Sequence, residues 1–256
     1  MKPITNINRA RWSPAPTAEL LELFPTSMLK GVFDLPHDVI AEDCRRLVAE
    51  VKRRYPNDTA RNYTTYFDGD LREETHQLPW FTDFSNTAKD TYIAYIESQY
   101  NIEVRDLCRN DIHFFAWISV YNSPHHHPTH NHEHCHVSGT YYVQCERDQQ
   151  PIKFLNPSLL TTANLRAVST PQEQVRPDMT VIGSDGHQQE VHFHNQTGEF
   201  LMWPSYMQHE VPAYTDKTRE DNYERIAISF NFKHNEPITD NMTGTNLHYG
   251  EVLTGE

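Results

Sequence analysis

The sequence predicts a mainly β protein, a sandwich or barrel in the second half of the chain with helices packed on it from the first half. Three observations predict this. After Asp111, short apolar runs follow one another between Gly, Pro, Asn and Asp turns, with no helical segment among them. The last run alternates: Ile226, Ile228, Phe230 and Phe232 share one face, and Arg225, Ala227, Ser229 and Asn231 share the other. Before Asp111, two segments instead repeat their apolar residues at helical spacing.

Residues 1 to about 27 carry Pro3, Pro14, Pro16 and Pro25 and little periodicity, which reads as a surface arm. Ser27 to Phe33 is a candidate first strand. A helix follows from about Pro36 to Tyr55. Proline suits a first turn, Asp38 suits the positive end, and Val39, Ile40, Leu47, Val48 and Val51 recur on one side. Pro56-Asn57-Asp58 ends it, and Arg61 to Gln77 is polar. A second helix runs from about residue 80 or 82 to Tyr100, with Phe84, Ala88, Tyr92, Tyr95 and Ile96 on one side. Both helices read as cover for a sheet, with no chemistry of their own.

The strands expected next are Phe114 to Tyr121, Ser138 to Cys145, Ile152 to Leu155, Val181-Ile182, Glu190 to Asn195, Glu199 to Trp203 and Arg225 to Phe232. The alternation in the last means that one face packs in a core and the other lines something polar. The chain thus divides into an arm and helices (1–110), a β core (111–234) and a polar tail (235–256). The tail is expected to be loosely held unless a partner subunit, as in a homodimer, orders it.

The 256 residues include 22 basic and 35 acidic ones, a net charge of −13. That weighs against nucleic acid as a partner, since phosphate binding wants a basic surface. Cys44, Cys108, Cys135 and Cys145 show no CxxC spacing, and nothing resembles a secretory signal, so reduced thiols in a cytoplasmic protein are expected. No apolar run approaches the length of a membrane span.

Three motifs carry candidate chemistry. The stretch from Pro124 holds seven histidines: His125, His126, His127, His130, His132, His134 and His136. Imidazole is the commonest side-chain metal ligand, and His-x-His on a strand puts two rings on one face. His130/His132, His132/His134 and His134/His136 all have that spacing. The bland reading is a solvated loop that gathers metals adventitiously. The second motif, Met202-Trp203-Pro204-Ser205, ends an apolar strand and presents His209 just beyond it; alone it reads as a surface histidine after a turn. The third, Glu224 to Phe232, puts Arg225 on the polar face of a half-buried strand, where it needs an anionic partner. A salt bridge to one of the chain's many carboxylates would also satisfy it.

In their order, HxH, then Ser138-Gly139-Thr140-Tyr141-Tyr142, then Trp-Pro-Ser with His209 and Val211, then Glu-Arg-x-x-Ile-Ser-Phe-Asn, these motifs resemble the Fe(II)/2-oxoglutarate-dependent oxygenases. The likeness is to a bacterial and phage branch similar to the prolyl hydroxylases, and it covers about Phe114 to Phe232. It implies a double-stranded β-helix core of the jelly-roll or cupin kind. It implies that His130, His132 and His209 hold the iron, His132 standing where the family has an acid. It implies that Arg225, with Tyr121 beside it, binds the far carboxylate of 2-oxoglutarate. The chain departs from the pattern in having no Asp or Glu two residues after any of these histidines. Either three histidines bind the metal or a carboxylate arrives from elsewhere, and the His132/His134 register is also open. Tyr214 to Tyr223 looks like an inserted charged loop, and Ala227 stands where some branches have serine.

The resemblance implies Fe(II), 2-oxoglutarate and O2 as cofactors and cosubstrates, with hydroxylation of a C–H bond and release of succinate and CO2. The substrate is expected to be a peptidyl (prolyl) group or a small metabolite. Two rivals stand beside this reading: a cupin-type dioxygenase with a three-histidine iron and no 2-oxoglutarate, which has no need of Arg225, and a metal-binding β-barrel without turnover.

Overall fold

The computed structural model describes residues 26–100, 112–122, 125–147, 149–157, 172–184, 187–214, 223–234, 238–239 and 246–247. The expected arm, the charged loop after Tyr214 and most of the tail fall outside these residues.

The first strand, β1, is Leu29–Val32, and helix α1 is His37–Arg54. Ile40, Ala41, Cys44, Leu47, Val48 and Val51 form the buried stripe of α1, Asp38 sits in its first turn, and Lys52, Arg53 and Arg54 sit in its last. Each large aliphatic side chain buried here is worth about 1.5–3 kcal/mol. A short helix α2, Gly69–His76, lies in the stretch read from sequence only as polar. It is capped by Asp68, whose carboxylate accepts from the Leu71 N–H at 3.1 Å and pairs with Arg54 at 3.0 Å. Only Leu71 and Thr75 of α2 are buried, so there was almost no apolar period to read. Helix α3, Phe81–Tyr100, buries Phe81, Phe84, Ala88, Tyr92, Tyr95 and Ile96. The Trp80 indole donates to Asp43 at 3.0 Å, which ties the start of α3 to α1.

The remaining strands are β2 (Ile112–Tyr121), β3 (His127–His130), β4 (Val137–Gln144), β5 (Ile152–Leu155), β6 (Gln172–Arg176), β7 (Met179–Ser184), β8 (His187–Phe193), β9 (Glu199–Pro204), β10 (His209–Val211), β11 (Arg225–His234), β12 (Ile238–Thr239) and β13 (Asn246–Leu247). They form a five-stranded sheet in the order β1-β9-β4-β11-β2, a six-stranded sheet in the order β3-β10-β5-β8-β7-β6, and a β12-β13 pair. All pairings are antiparallel. Along the chain, β2, β4, β9 and β11 of the first sheet exchange with β3, β5, β8 and β10 of the second. That alternation is the double-stranded β-helix. The β6-β7 hairpin extends the second sheet. Of these strands, β3, β6, β10, β12 and β13 were not foreseen from sequence, being too short or too polar to show a period.

The five-stranded sheet separates two cores. Phe114, Ala116, Ile118 and Val120 of β2 join Ile226, Ile228, Phe230 and Phe232 of β11 and the buried faces of α1 and α3 in one continuous apolar cluster. Phe84 of α3 meets Phe114 at 5.9 Å and Phe230 at 5.9 Å between ring centroids. The opposite face of the same sheet contributes Tyr121, Tyr142, Leu201 and Trp203 to a second cluster with Ile152, Phe154 and Phe193 of the six-stranded sheet. No described helix is long and apolar enough to cross a membrane.

Gly139, in the middle of β4, has a packing role. The Phe230 ring lies over it, and a Cβ there would stand 2.3 Å from a Phe230 ring carbon and 2.8 Å from the Leu201 carbonyl oxygen. Backbone on one side leaves only the ring free to yield. Gly139→Ala is expected to lower the unfolding free energy by about 1–3 kcal/mol, as overpacking does. In urea denaturation, adding Phe230→Leu should return part of that loss; equal stability of Gly139→Ala and wild type would show that the layer is looser than its geometry implies.

Candidate metal centre

The site begins with a strand register. Strands β3 and β10 pair so that His209 stands opposite His130. Directly opposed residues of an antiparallel pair hold their Cβ atoms about 4.5–5.5 Å apart, so the register alone sets these two rings side by side. Their centroids are 4.2 Å apart. His132 lies two residues past the end of β3, so the strand alternation expected to put it on one face with His130 does not set its position. A backbone bond fixes it there: its N–H donates to the Ser205 carbonyl at 2.9 Å, in the turn that also leads from β9 to His209. The His132 ring is 5.1 Å from that of His130 and 5.3 Å from that of His209. One ligand nitrogen from each of the three lies within 4.8 Å of the others.

The ring orientations suit a shared cation. His130 Nδ1 is 2.8 Å from the Pro128 carbonyl, and His209 Nδ1 is 2.9 Å from the Met207 carbonyl. A carbonyl can only accept, so Nδ1 carries the proton in both rings and the lone pair is on Nε2. Metal-bound histidines are oriented in this way by their outer partners. Burial holds all three imidazoles neutral. It lowers the pKa of His130, lowers that of His209 well below the usual histidine range, and, with the neighbouring imidazoles His130 and His127, brings His132 down to about 3.

The other histidines of the cluster divide cleanly. His127 stacks on His130 with centroids 4.1 Å apart and lines the same cavity, outside the group of three. His125 is buried, stacks on Tyr63 at 4.8 Å, and accepts from the Asn122 N–H at 3.0 Å, so its work is structural. His126, His134 and His136 are exposed. The His132/His134 register therefore does not gather a site.

No carboxylate joins the group among the described residues. Glu133 is exposed. Glu210, next to His209, points to the other face of β10, where Lys153 pairs with it at 3.1 Å and Thr129 donates to it at 2.9 Å.

Arg225 opens β11 opposite Tyr121 of β2, and its side chain enters the same cavity as the three histidines. It is 2 % exposed. Its guanidinium lies over the Tyr121 ring at 4.5 Å, and Nη1 donates to the Gln150 carbonyl at 3.1 Å. Its Nε is buried with no hydrogen-bond partner among the described residues, and none of the described ion pairs includes it. The adjacent Glu224 is turned away and pairs with Arg45 at 2.8 Å. Trp117, Tyr142, Trp203 and Ser229 also line the cavity, and no acidic residue among the described residues does. Trp117, Tyr142 and Trp203 were not given a site role from sequence; alternation from Tyr121 along β2 points Trp117 inward, while Tyr142 and Trp203 are turned inward by the pairing of β4 with β11 and β9.

Residues 115–231 match the model of a family described as "Putative 2OG-Fe(II) oxygenase". No functionally curated protein matches the chain. Solved structures that resemble it include a prolyl-4-hydroxylase from Pseudomonas putida, at 14% identity and TM-score 0.44, covering 82% of this chain and 94% of that one. Another is the non-heme α-ketoglutarate-dependent epimerase SnoN of nogalamycin biosynthesis, at 12% identity and TM-score 0.41, covering 90% and 92%. Likenesses this distant say nothing about substrate.

The ligand geometry has a direct test in metal content. Dialysed anaerobically against Fe(II) or Co(II), wild type should hold about one ion per chain, and His130→Ala or His209→Ala should hold almost none. His126→Ala, exposed and outside the group, should bind as wild type. His132→Asp should keep its metal, since a carboxylate there completes the commoner two-histidine, one-carboxylate set; normal binding by His132→Ala would remove His132 from the ligand set.

Proposed function

We propose that this chain is a 2-oxoglutarate-dependent oxygenase with a three-histidine iron site, a reading supported by the match of residues 115–231 to the 2OG-Fe(II) oxygenase family model. The observation that carries the proposal is Arg225: a buried guanidinium with an unpartnered Nε, in the same acid-free cavity as three converging neutral imidazoles. A buried cation needs an anion, and the described residues offer none. A diacid satisfies both ends of the cavity at once, one carboxylate at Arg225 and a keto-acid group at the metal.

His130, His132 and His209 would hold the iron through neutral nitrogens. Fe(II) with 2-oxoglutarate and O2 supplies, when bound, the oxidation of a C–H bond coupled to release of succinate and CO2. The chain supplies geometry. Arg225 presents a planar fork to the distal carboxylate, which a lysine could not match. Tyr121 supports the face of the guanidinium, and the Gln150 carbonyl holds its Nη1. Phe154 and Trp203 pack against His209 at 5.8 and 4.9 Å and keep water from that side of the site. The substrate class we favour is a peptidyl or small-molecule C–H donor, not nucleic acid, given the net charge of −13. A cupin-type dioxygenase is compatible with the histidines, but it leaves Arg225 without a purpose.

Addition of 2-oxoglutarate to the Fe(II) protein without oxygen should produce a weak visible metal-to-ligand charge-transfer band. Arg225→Ala should weaken 2-oxoglutarate binding by roughly 2–5 kcal/mol, the range for truncating one partner of a desolvated, hydrogen-bonded charge pair, with Fe(II) affinity nearly unchanged. A wild-type titration with no band, or an Arg225→Ala variant that unfolds yet binds 2-oxoglutarate normally, makes Arg225 a structural residue and removes the co-substrate from the proposal.

A further inference from the structure

The three candidate ligands are not oriented alike. His130 and His209 each give Nδ1–H to a backbone carbonyl, which no side-chain change can remove. His132 has a side chain in that place: its Nδ1 faces the Asn231 amide at 3.3 Å. Asn231 is 5 % exposed, on the inner face of β11. Its Oδ1 is 2.8 Å from Ser138 Oγ, and Ser138 Oγ is 2.8 Å from Ser205 Oγ. Ser205 returns to the start, because its carbonyl accepts the His132 N–H at 2.9 Å. The result is a closed, buried ring of polar groups joining the turn after β3, β11, β4 and the turn after β9.

This ring can be polarised in two ways. As placed, Asn231 Nδ2 donates to His132 Nδ1, which puts the imidazole proton on Nε2 and leaves no lone pair there. Rotating the amide by half a turn reverses every side-chain bond of the ring and leaves the backbone bond from His132 to Ser205 as it is: His132 Nδ1–H donates to Asn231 Oδ1, Asn231 Nδ2 donates to Ser138 Oγ, and Ser138 donates to Ser205 Oγ. The two amide orientations are nearly the same shape, so the choice is made by hydrogen bonding. Each serine hydroxyl can donate or accept, so both polarities satisfy the ring. Only the second leaves His132 Nε2 free, as Nε2 is in His130 and His209.

Resting on the metal-site reading above, we propose that Asn231 is a positioning residue that selects the metal-binding tautomer of His132, and that the Asn231–Ser138–Ser205 ring reverses its polarity when a metal binds. A carboxylate at position 132 needs no tautomer, so this device belongs to the three-histidine form of the site.

The test is Co(II) affinity, measured anaerobically against a chromophoric chelator, on wild type, Asn231→Ala, Asn231→Asp and His130→Ala. Asn231→Ala should bind 10- to 100-fold more weakly, as loss of an outer partner does. Asn231→Asp, which can only accept from Nδ1–H, should restore wild-type affinity or exceed it. A purely structural role for Asn231 predicts no such rescue. Long-range 1H–15N spectra of histidine-labelled protein supply a second readout: in the Zn(II) form His132 should carry its proton on Nδ1 in wild type and Asn231→Asp. Asn231→Ala binding within twofold of wild type, or Asn231→Asp no tighter than Asn231→Ala, overturns the inference while the metal site stands. His130→Ala binding Co(II) like wild type overturns the metal site and this inference with it.

Discussion

Strand β11 lies between β2 and β4, and its register with both is the constraint on which the molecule depends. Every residue from Arg225 to His234 is paired with β2. The chain's two chemistries, apolar layer and polar cavity, are interleaved residue by residue along this strand. A slip of one position would turn Arg225 and Asn231 into the layer of Phe84, Phe114 and Tyr141, and Ile226 and Phe230 into the cavity. An unpaired guanidinium in that layer costs several kcal/mol, and the aromatic packing lost with it costs more. Two independent penalties therefore enforce one register, and that register presents Arg225 and Asn231 to the same space.

The six-stranded sheet solves a different problem. Three imidazoles brought together repel if charged, and each loses hydration on burial. Depressed basicity settles both, since neutral rings neither repel strongly nor demand water. Among the described residues, Arg225 is the remaining charge in the cavity and no acidic side chain lines the wall, although the chain carries 35 Asp and Glu residues. Glu210 and Glu224, the acids nearest in sequence to His209 and Arg225, are turned outward onto Lys153 and Arg45. Carboxylates are thus held off the site by strand alternation, and the cavity is left complementary to an anion.

How much of this could be read from the sequence follows the length and period of each element. Strand β11 and helix α1 announced themselves because their buried positions repeat over ten residues or more. Strands β3 and β10 did not: they are four and three residues long, and neither has an apolar period. Yet those two strands bring His130 to His209. Helix α2 buries two side chains only, and its better signal was the cap, Asp68 ahead of Gly69-Asp70-Leu71. The pairing of a His-x-His stretch with a histidine almost eighty residues later came from motif order and not from any local property. Asn231 was legible as an inward residue by simple alternation. What it faces was not, because that depends on where a turn two strands away sets His132.

A ligand set of two histidines and a carboxylate asks little of its surroundings beyond orientation, because a carboxylate offers lone pairs on both oxygens. Three histidines ask for three tautomers to agree. Here two of the choices are made by backbone carbonyls two residues upstream of the ring, Pro128 and Met207, so they come with the local chain path. The third cannot be made that way, since His132 has left the strand and its own backbone is engaged with Ser205. It falls to a side chain on the neighbouring sheet, and that side chain must itself be satisfied in a buried position. Ser138 and Ser205 do this, and they can do it in either direction because a hydroxyl is both donor and acceptor. An imidazole in place of an acid at position 132 thus gives the two buried serines and the asparagine behind it a common task, on the polar face that Thr140, Arg225 and Ser229 also line.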